Sequence, residues 1–589
     1  MLVPWTLSTA LVSSIASVAV GFSASASLGV VAKHGRARSH APSARLGQRF
    51  FCSRGIHARG GGHPSSDGID RTRPMARARA WPRAAVAIEG VDTEDKEAVP
   101  VPEGWGEQTP EDDISYARML RFILPTLGIW LASPIMSLVD AGVVGTRSAL
   151  ELASLGPATI LCESLIYCST FLAIATTNLQ ATALADGKTA EAQKVVAQAL
   201  GLALTIGFAV AVCVQVLGPK VLVHLAGEKS KEVLPAALRY SRVRILGAPA
   251  SIAAMVLQAA CLGARDSVTP LGVVIVASAI NAGGDWLTVC RMNMGVFGAA
   301  AATASAETVS MVLLAVAVWR AQGKRLHKFV ALPSWEELKV FLNFAGPIAF
   351  ALLGKVICYS IMTLTVTTLG TIPLATHNVM LRVFFFFATF GEALSQTAQA
   401  FIPGQLARER ALKAAKAAAS LASDSVDPAN PVKEHTAAVF IDPRRSPARA
   451  MMRKVLLLGV VVGSLNACVA GLVPLHLPHL FTNSLEVAGG MRSLTPLLSW
   501  SLLTHACVMG LEGILLARRR LRFLAGCYAI NTGVMVLFMQ WVRTWPAARG
   551  LHGAWLGLLV LQLLRVVEFG IHLRWINRQD RLNGIIEAA

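Results

Sequence analysis

From Arg118 onward the apolar positions fall into long, nearly continuous runs, broken by short polar or charged stretches. A helix needs about 20 apolar residues to cross a bilayer. Twelve runs reach that length. They lie at 118–146, 152–182, 193–217, 234–262, 268–290 and 296–321, and then at 336–366, 373–406, 451–474, 488–517, 522–544 and 552–576. The pattern predicts an all-α polytopic membrane protein.

The two sets of six runs look like a repeat. Phe122-Ile-Leu-Pro125 aligns with Phe344-Ala-Gly-Pro347, and Leu152-Ala153 with Leu374-Ala375, both at an offset of 222. Cys261-Leu-Gly-Ala264 pairs best with Leu515-Leu-Ala-Arg518, at an offset of 254. The second half has therefore gained about 32 residues between these points, and the Ala/Lys- and Asp/Pro-rich stretch 408–450 is the expected insertion. Two like-oriented six-helix lobes, 118–321 and 336–576, joined by a basic loop at 322–335, make a common transporter plan with the substrate path between the halves.

Everything before the first run differs in character. Residues 1–32 carry no charge and are rich in Ala, Ser and Val, while Lys33–Arg83 is rich in Arg, Ser, Gly and Pro. This composition predicts a targeting leader over 1–88, of plastid transit type, with a bipartite signal-plus-transit layout as the alternative. An acidic linker, 89–117, follows. Residues 577–589 form a C-terminal tail.

Composition agrees with this plan. The chain of 589 residues is 54% hydrophobic and only 15% charged, against about 25% charged in soluble domains. Its net charge of +19 does not signal nucleic-acid binding, because residues 1–88 alone carry +10. Much of the remainder is a topology signal. The approach to the first run, the even-numbered loops and the C-terminus hold 27 Lys/Arg, and the odd-numbered loops hold 11. The positive-inside bias places both termini on the cytosolic or stromal side. Ten cysteines make no CxxC pair and lie almost wholly in apolar runs, which argues against a zinc or disulfide framework. No HExxH, GxSxG or Walker motif occurs in the spans, and His377, His505, Glu512 and Glu568 read as scattered singles. The sequence predicts no enzyme, no cofactor and no metal.

Ionisable residues inside spans are costly and point to a pathway or coupling site. They are Asp140, Glu163, Asp285, Glu307, Lys355, Arg382, Glu392, Glu512, Arg565 and Glu568. Asp140, Asp285 and Thr303 each sit six or seven residues from the same, less basic face, or about 10 Å deep at 1.5 Å per residue. Asn281 lies one turn from Asp285 on the same helix face. Two carboxylates, an amide and a hydroxyl at one depth suit a proton or Na⁺; ordinary interhelical hydrogen bonding is the alternative. Asp140 maps onto Met362, and the segments opposite Asp285 and Thr303 hold methionines and apolar residues. Coupling chemistry is thus expected in the N-terminal half alone.

At these residues the chain resembles the multidrug and toxic compound extrusion (MATE) family. Pro134-Ile-Met-Ser-Leu-Val-Asp140-Ala-Gly-Val-Val-Gly145 and Glu151-Leu-Ala-Ser-Leu-Gly156 look like the family's first helix and loop. Leu262-Gly-Ala-Arg-Asp266-Ser-Val-Thr-Pro270, Asn281-x3-Asp285, Gly295-Val-Phe-Gly298-Ala-Ala-Ala-Ala-Thr303 and Glu512-Gly-Ile-Leu-Leu-Ala-Arg518 resemble later elements in the right order. Ala175-Thr-Thr-Asn178-Leu-x-Ala-Thr182 is most similar to the DinF-like branch, which includes plastid members.

The resemblance implies that Asp140, Asn281, Asp285 and Thr303 form an N-lobe cation or proton site, and that Pro125 is a hinge that bends as occupancy changes. Two departures stand out: Lys355 replaces the C-lobe glutamate of plant multidrug members, and Glu307, where a neutral amide is common, would add a protonatable group. Asn178, Gln180, Arg382, Gln396 and Gln399 are candidate cavity residues, with Arg382 or Lys355 suited to an anionic solute. The expected function is a monomeric antiporter exporting an organic solute in exchange for H⁺ or Na⁺. A gradient-independent flippase for an amphipathic substrate is the alternative.

Overall fold

A computed structural model describes residues 114–145, 149–226, 232–322, 330–424, 446–482, 484–545 and 550–586. The leader (1–88), the acidic stretch to residue 113 and 425–445 of the insertion lie outside the described residues. Among the described residues there is no strand, and twelve helical spans are long and apolar enough to cross a membrane. Spans 1 to 6 are Tyr116–Gly145, Ser154–Ala185, Thr189–Val223, Leu234–Gly263, Val268–Arg291 and Gly295–Ala321. Spans 7 to 12 are Trp335–Thr367, Thr371–Ala414, Pro447–His476, Leu485–Ala517, Leu521–Thr544 and Leu551–Asp580.

The ends of two elements differ from the sequence reading. The helix of span 8 continues without a break to Asp424, well past residue 406. The Ala/Lys-rich tract 411–419 is made of strong helix formers, so nothing stops the helix where its apolar run ends. The last helix likewise runs to Ile586, through the predicted tail. Ser446 caps span 9, its hydroxyl accepting from the Arg449 amide, with Pro447 at the first helical position.

The repeat is written into backbone geometry. Span 4 ends with amides 264, 265 and 266 donating to carbonyls 260, 262 and 261. Span 10 ends with amides 518, 519 and 520 donating to carbonyls 514, 516 and 515, the same closure displaced by 254. Its pivot is a residue in the left-handed region, Arg265 at φ 65° and Arg519 at φ 57°. Such a cap satisfies the last carbonyls of a helix and turns the chain sharply. Spans 4 and 10 are also the two most enclosed, each with 78% of its most apolar stretch buried. Small residues at the contacts allow this: the Cα of Pro249 in span 4 lies 2.4 Å from where a Cβ would stand on Gly207 in span 3.

The two halves meet at the end that carries the even-numbered loops. Asp186 pairs with Arg410 at 3.0 Å and Lys194 with Glu337 at 2.6 Å. The Arg265 guanidinium lies 4.9 Å from the Phe401 ring, and its Nε donates to the Ala400 carbonyl. Phe122 meets Phe401 edge to face at 5.2 Å, and the Ala331 amide donates to the Ala197 carbonyl. These contacts close one end, and the cavity described next lies beyond them toward the other.

Candidate functional site

The cavity has a volume of about 390 Å³ and is walled by spans 1, 2, 4, 5 and 6, with Gln396 of span 8 as its contribution from the second half. Its apolar wall includes Ile129, Trp130, Met136, Tyr167 and Met255, and its polar wall includes Asp140, Glu163, Asn281, Thr303 and Glu307. Mostly apolar lining with a few convergent polar groups is the usual make-up of a small-molecule site.

Three of the four coupling candidates are brought into direct association. Asn281 Nδ2 donates to Asp140 Oδ1 at 2.8 Å, joining spans 1 and 5. Asp285 is fully buried behind that pair, one helical turn from Asn281, with Asp140 as its neighbouring acid. Neither Asp285 oxygen has a hydrogen-bond donor among the described residues, and the Asn281 carbonyl oxygen is likewise buried without one. Buried polar atoms are ordinarily paired, so three unpaired acceptors in one place are a chemical demand. A proton between the carboxyls or a hard cation among the oxygens satisfies it. Asp285 is placed by a local irregularity: the α-helix ends at it and a π-helical turn, Trp286–Arg291, takes over. Single π turns are common at functional sites because they re-aim side chains. Thr303 stands in the cavity wall, its hydroxyl donating to the Ala299 carbonyl.

Glu307 has a different setting from the one its sequence position suggested. Arg244 grips it bidentately, Nη1 to Oε2 at 2.6 Å and Nη2 to Oε1 at 2.5 Å, and the Ser251 hydroxyl also donates to it. It is the anionic half of a clamp between spans 4 and 6, not a further lone acid. Arg244 is a site residue the sequence reading missed. The available signal was an Arg well inside the 234–262 run, which a count of loop charges absorbed. Glu163 lines the same cavity.

Of the candidate cavity residues, Gln396 lines the space. Asn178 instead donates to Gln399 Oε1 at 2.6 Å, and Gln399 donates on to Ser395, a chain of amides bolting span 2 to span 8. Gln180 is buried against span 4, its Oε1 3.1 Å from where a Cβ would stand on Gly263. Arg382 is exposed and outside the cavity wall. Pro125 lies inside the unbroken helix of span 1, about one turn before the cavity wall begins at Ile129. Phe384 and Phe387 are packed inside, whereas Phe385 and Phe386 are exposed.

The second half holds a buried ionic network, with the acid Glu392 near it but in none of its bonds. Lys355 Nζ donates to Glu512 Oε1 at 2.8 Å, and the Tyr528 hydroxyl donates to Glu512 Oε2 at 2.6 Å. Arg565 lies 4.9 Å from the Tyr528 ring centre, and Gln562 hydrogen-bonds His505 at 3.1 Å. Residues that read as scattered singles, Glu512 and His505 among them, are therefore neighbours of a common core. Lys355 is bound to Glu512 and so is not a free cation facing a solute.

Comparisons with known proteins agree with this architecture. The MatE family profile matches residues 125–287. The chain is 30% identical over 458 residues to the chloroplastic protein DETOXIFICATION 47 of Arabidopsis thaliana, covering 78% of this chain and 77% of that one. It is 24% identical to the chloroplastic protein DETOXIFICATION 44 of the same plant, covering 76% and 80%. Among solved structures it resembles a multidrug-resistance MATE transporter in an outward-facing conformation, with a TM-score of 0.64 at 17% identity over 78% of this chain and 96% of that chain. Twelve spans in the same arrangement, and identity sustained over three quarters of both chains, show that the chain belongs to the multidrug and toxic compound extrusion family of membrane transporters.

Proposed function

We propose that the protein is a secondary antiporter that exports an organic solute in exchange for H⁺ or Na⁺. The observation that carries this reading is the unpaired acceptor set of Asp285 and Asn281 beside Asp140, at the wall of the N-lobe cavity. Two carboxylates with no donor between them are mutually repulsive in an apolar setting. A bound cation removes that repulsion and draws spans 1 and 5 together. Releasing it loosens the wall that the solute occupies. The two ligands then compete through the conformational equilibrium without having to touch. Pro125, where span 1 lacks one backbone donor, is the point at which the helix yields. The donor set is all oxygen, which accommodates either H⁺ or Na⁺.

The closed end bears the basic loops, so the cavity is assigned to the face opposite the cytosol or stroma. Relatives named as chloroplastic, together with the Arg/Ser-rich leader, favour a plastid envelope membrane. A cavity lined within one chain favours a monomer. Flux into proteoliposomes tests the proposal under an imposed pH or Na⁺ gradient. Asp285→Asn and Asp140→Asn should each lower gradient-driven flux at least tenfold while leaving the protein folded. Full flux in both variants would overturn the assignment, and flux that survives collapse of both gradients would indicate a flippase.

A further inference from the structure

The core of the second half contains a buried surplus of hydrogen-bond donors that the coupling scheme does not use. Arg565 is 1% exposed, and its Nε and Nη2 have no acceptor among the described residues. The carboxylates near it are engaged elsewhere. Glu512 takes Lys355 on one oxygen and the Tyr528 hydroxyl on the other, and Glu568 takes the Asn531 amide. The Tyr528 face against Arg565 offers attraction but no lone pair.

His505 adds a further donor. His505 Nδ1 lies 3.1 Å from Gln562 Nε2; with the amide in that orientation Nδ1 accepts and the ring proton falls on Nε2, which is buried and also without a partner among the described residues. Ser501, one turn before His505 on span 10, has a buried hydroxyl with no partner. Gln562 and Arg565 stand one turn apart on span 12, and the bond of Gln562 to His505 joins this face of span 12 to span 10. Water can satisfy a stray hydroxyl, but a guanidinium edge with two parallel N–H groups is matched by a negative charge.

We infer that the seam between spans 10 and 12 is an anion site. The Arg565 Nε–Nη2 edge holds a small anion, a halide or the carboxylate head of a solute, and His505 Nε2 and the Ser501 hydroxyl complete the donor set. Lys355 is not a ligand, because Glu512 holds it. This inference goes beyond the antiport reading and does not rest on it. Its test reads binding, so it can fail or succeed whatever the flux measurements show.

The test is the thermal midpoint of the purified full chain in detergent, titrated with sodium chloride or bromide against sodium gluconate at constant Na⁺ and ionic strength. A saturable rise of a few degrees with halide, absent in Arg565→Gln and retained in part in Arg565→Lys, is the expected result. Acetate and citrate titrated at fixed low chloride identify the source. An Arg565-dependent response to carboxylates that halide competes away supports a solute head group at the same edge. Should Arg565→Gln fail to fold, crystals of the unmutated chain in bromide should show an anomalous peak at hydrogen-bond distance from the guanidinium. Identical titrations in wild type and Arg565→Gln, or no response in wild type and no bromide peak, would overturn the inference.

Discussion

The two halves share a backbone plan and treat buried charge in opposite ways. In the N-lobe, Asp140 and Asp285 are neighbours with no basic partner among the described residues, Asn281 donates to the first, and both oxygens of the second lack a donor there. At the C-lobe the corresponding demand is met internally, where Glu512 is neutralised by Lys355 and steadied by Tyr528. A lysine ammonium on a four-carbon stem is a tethered cation: it fills the role of a bound ion but cannot leave. A half that can release its cation can be driven by a gradient, and one that carries its own cannot. On the proposed mechanism, the first lobe moves energy into the cycle and the second supplies a fixed surface against which the first works.

That contrast can be broken experimentally, and the largest effect is expected where the built-in cation is removed. Lys355→Met leaves Glu512 buried without its partner, which costs about 3–5 kcal/mol. Denaturation should show the loss, and the double variant Lys355→Met/Glu512→Gln should recover most of it. Asp285→Asn should by contrast be neutral or slightly stabilising, since it removes an unpaired charge. Equal losses in both lobes would dissolve the distinction.

The Arg244–Glu307 clamp should be less costly to break. Glu307 is 25% exposed on its side chain and lines the cavity, and a glutamine keeps a carbonyl acceptor for the buried Arg244, so Glu307→Gln should cost about 1–2 kcal/mol, less than removing Lys355 outright. Gradient-driven flux should fall less than in Asp285→Asn. Flux as low as in that variant would make Glu307 a coupling group in its own right.

The smallest effect belongs to the closed end. Asp186 and Arg410 are a partly exposed pair worth about 0–1 kcal/mol. Asp186→Asn should leave the denaturation midpoint in place and shift the balance between the two faces by a few-fold. Accessibility of a cysteine introduced at Ser133, in the cavity wall, reads that balance. No change in labelling rate would show that the remaining contacts, Lys194 with Glu337 and Phe122 and Arg265 with Phe401, hold this end without that pair.

The fold was largely legible in the chain. Runs of 20 or more apolar residues admit one solution in a bilayer, because every backbone donor and acceptor must be satisfied within its own helix. The offset of 254 between halves was visible as Cys261-Leu-Gly-Ala264 against Leu515-Leu-Ala-Arg518, and it reappears as the paired left-handed caps at Arg265 and Arg519. Helix ends were less legible where hydropathy and propensity part company, as in the Ala/Lys tract that carries span 8 to Asp424.

The site was legible in part. Asp140 and Asp285 announced themselves because a carboxylate inside an apolar run is expensive. Asn281 was tied to Asp285 by its spacing of four. What depth alone could not supply was partnership. Glu307 and Glu163 lie at comparable depth, yet Arg244 claims the first; Asn178 and Gln399 look like cavity amides, yet they bond each other across the two halves.

The sequence by itself determined that twelve runs among the described residues are long and apolar enough to cross a membrane, that its halves repeat, and which residues are costly to bury. Those are properties of single segments, set by transfer free energy and helix period. Only the tertiary structure decided which costs are met inside the protein and which are left for a ligand. Pairing depends on side chains 63 residues apart, as in Arg244 and Glu307, or 157 apart, as in Lys355 and Glu512. No local pattern encodes that distance; it appears when spans 4 and 6, or 7 and 10, are packed face to face.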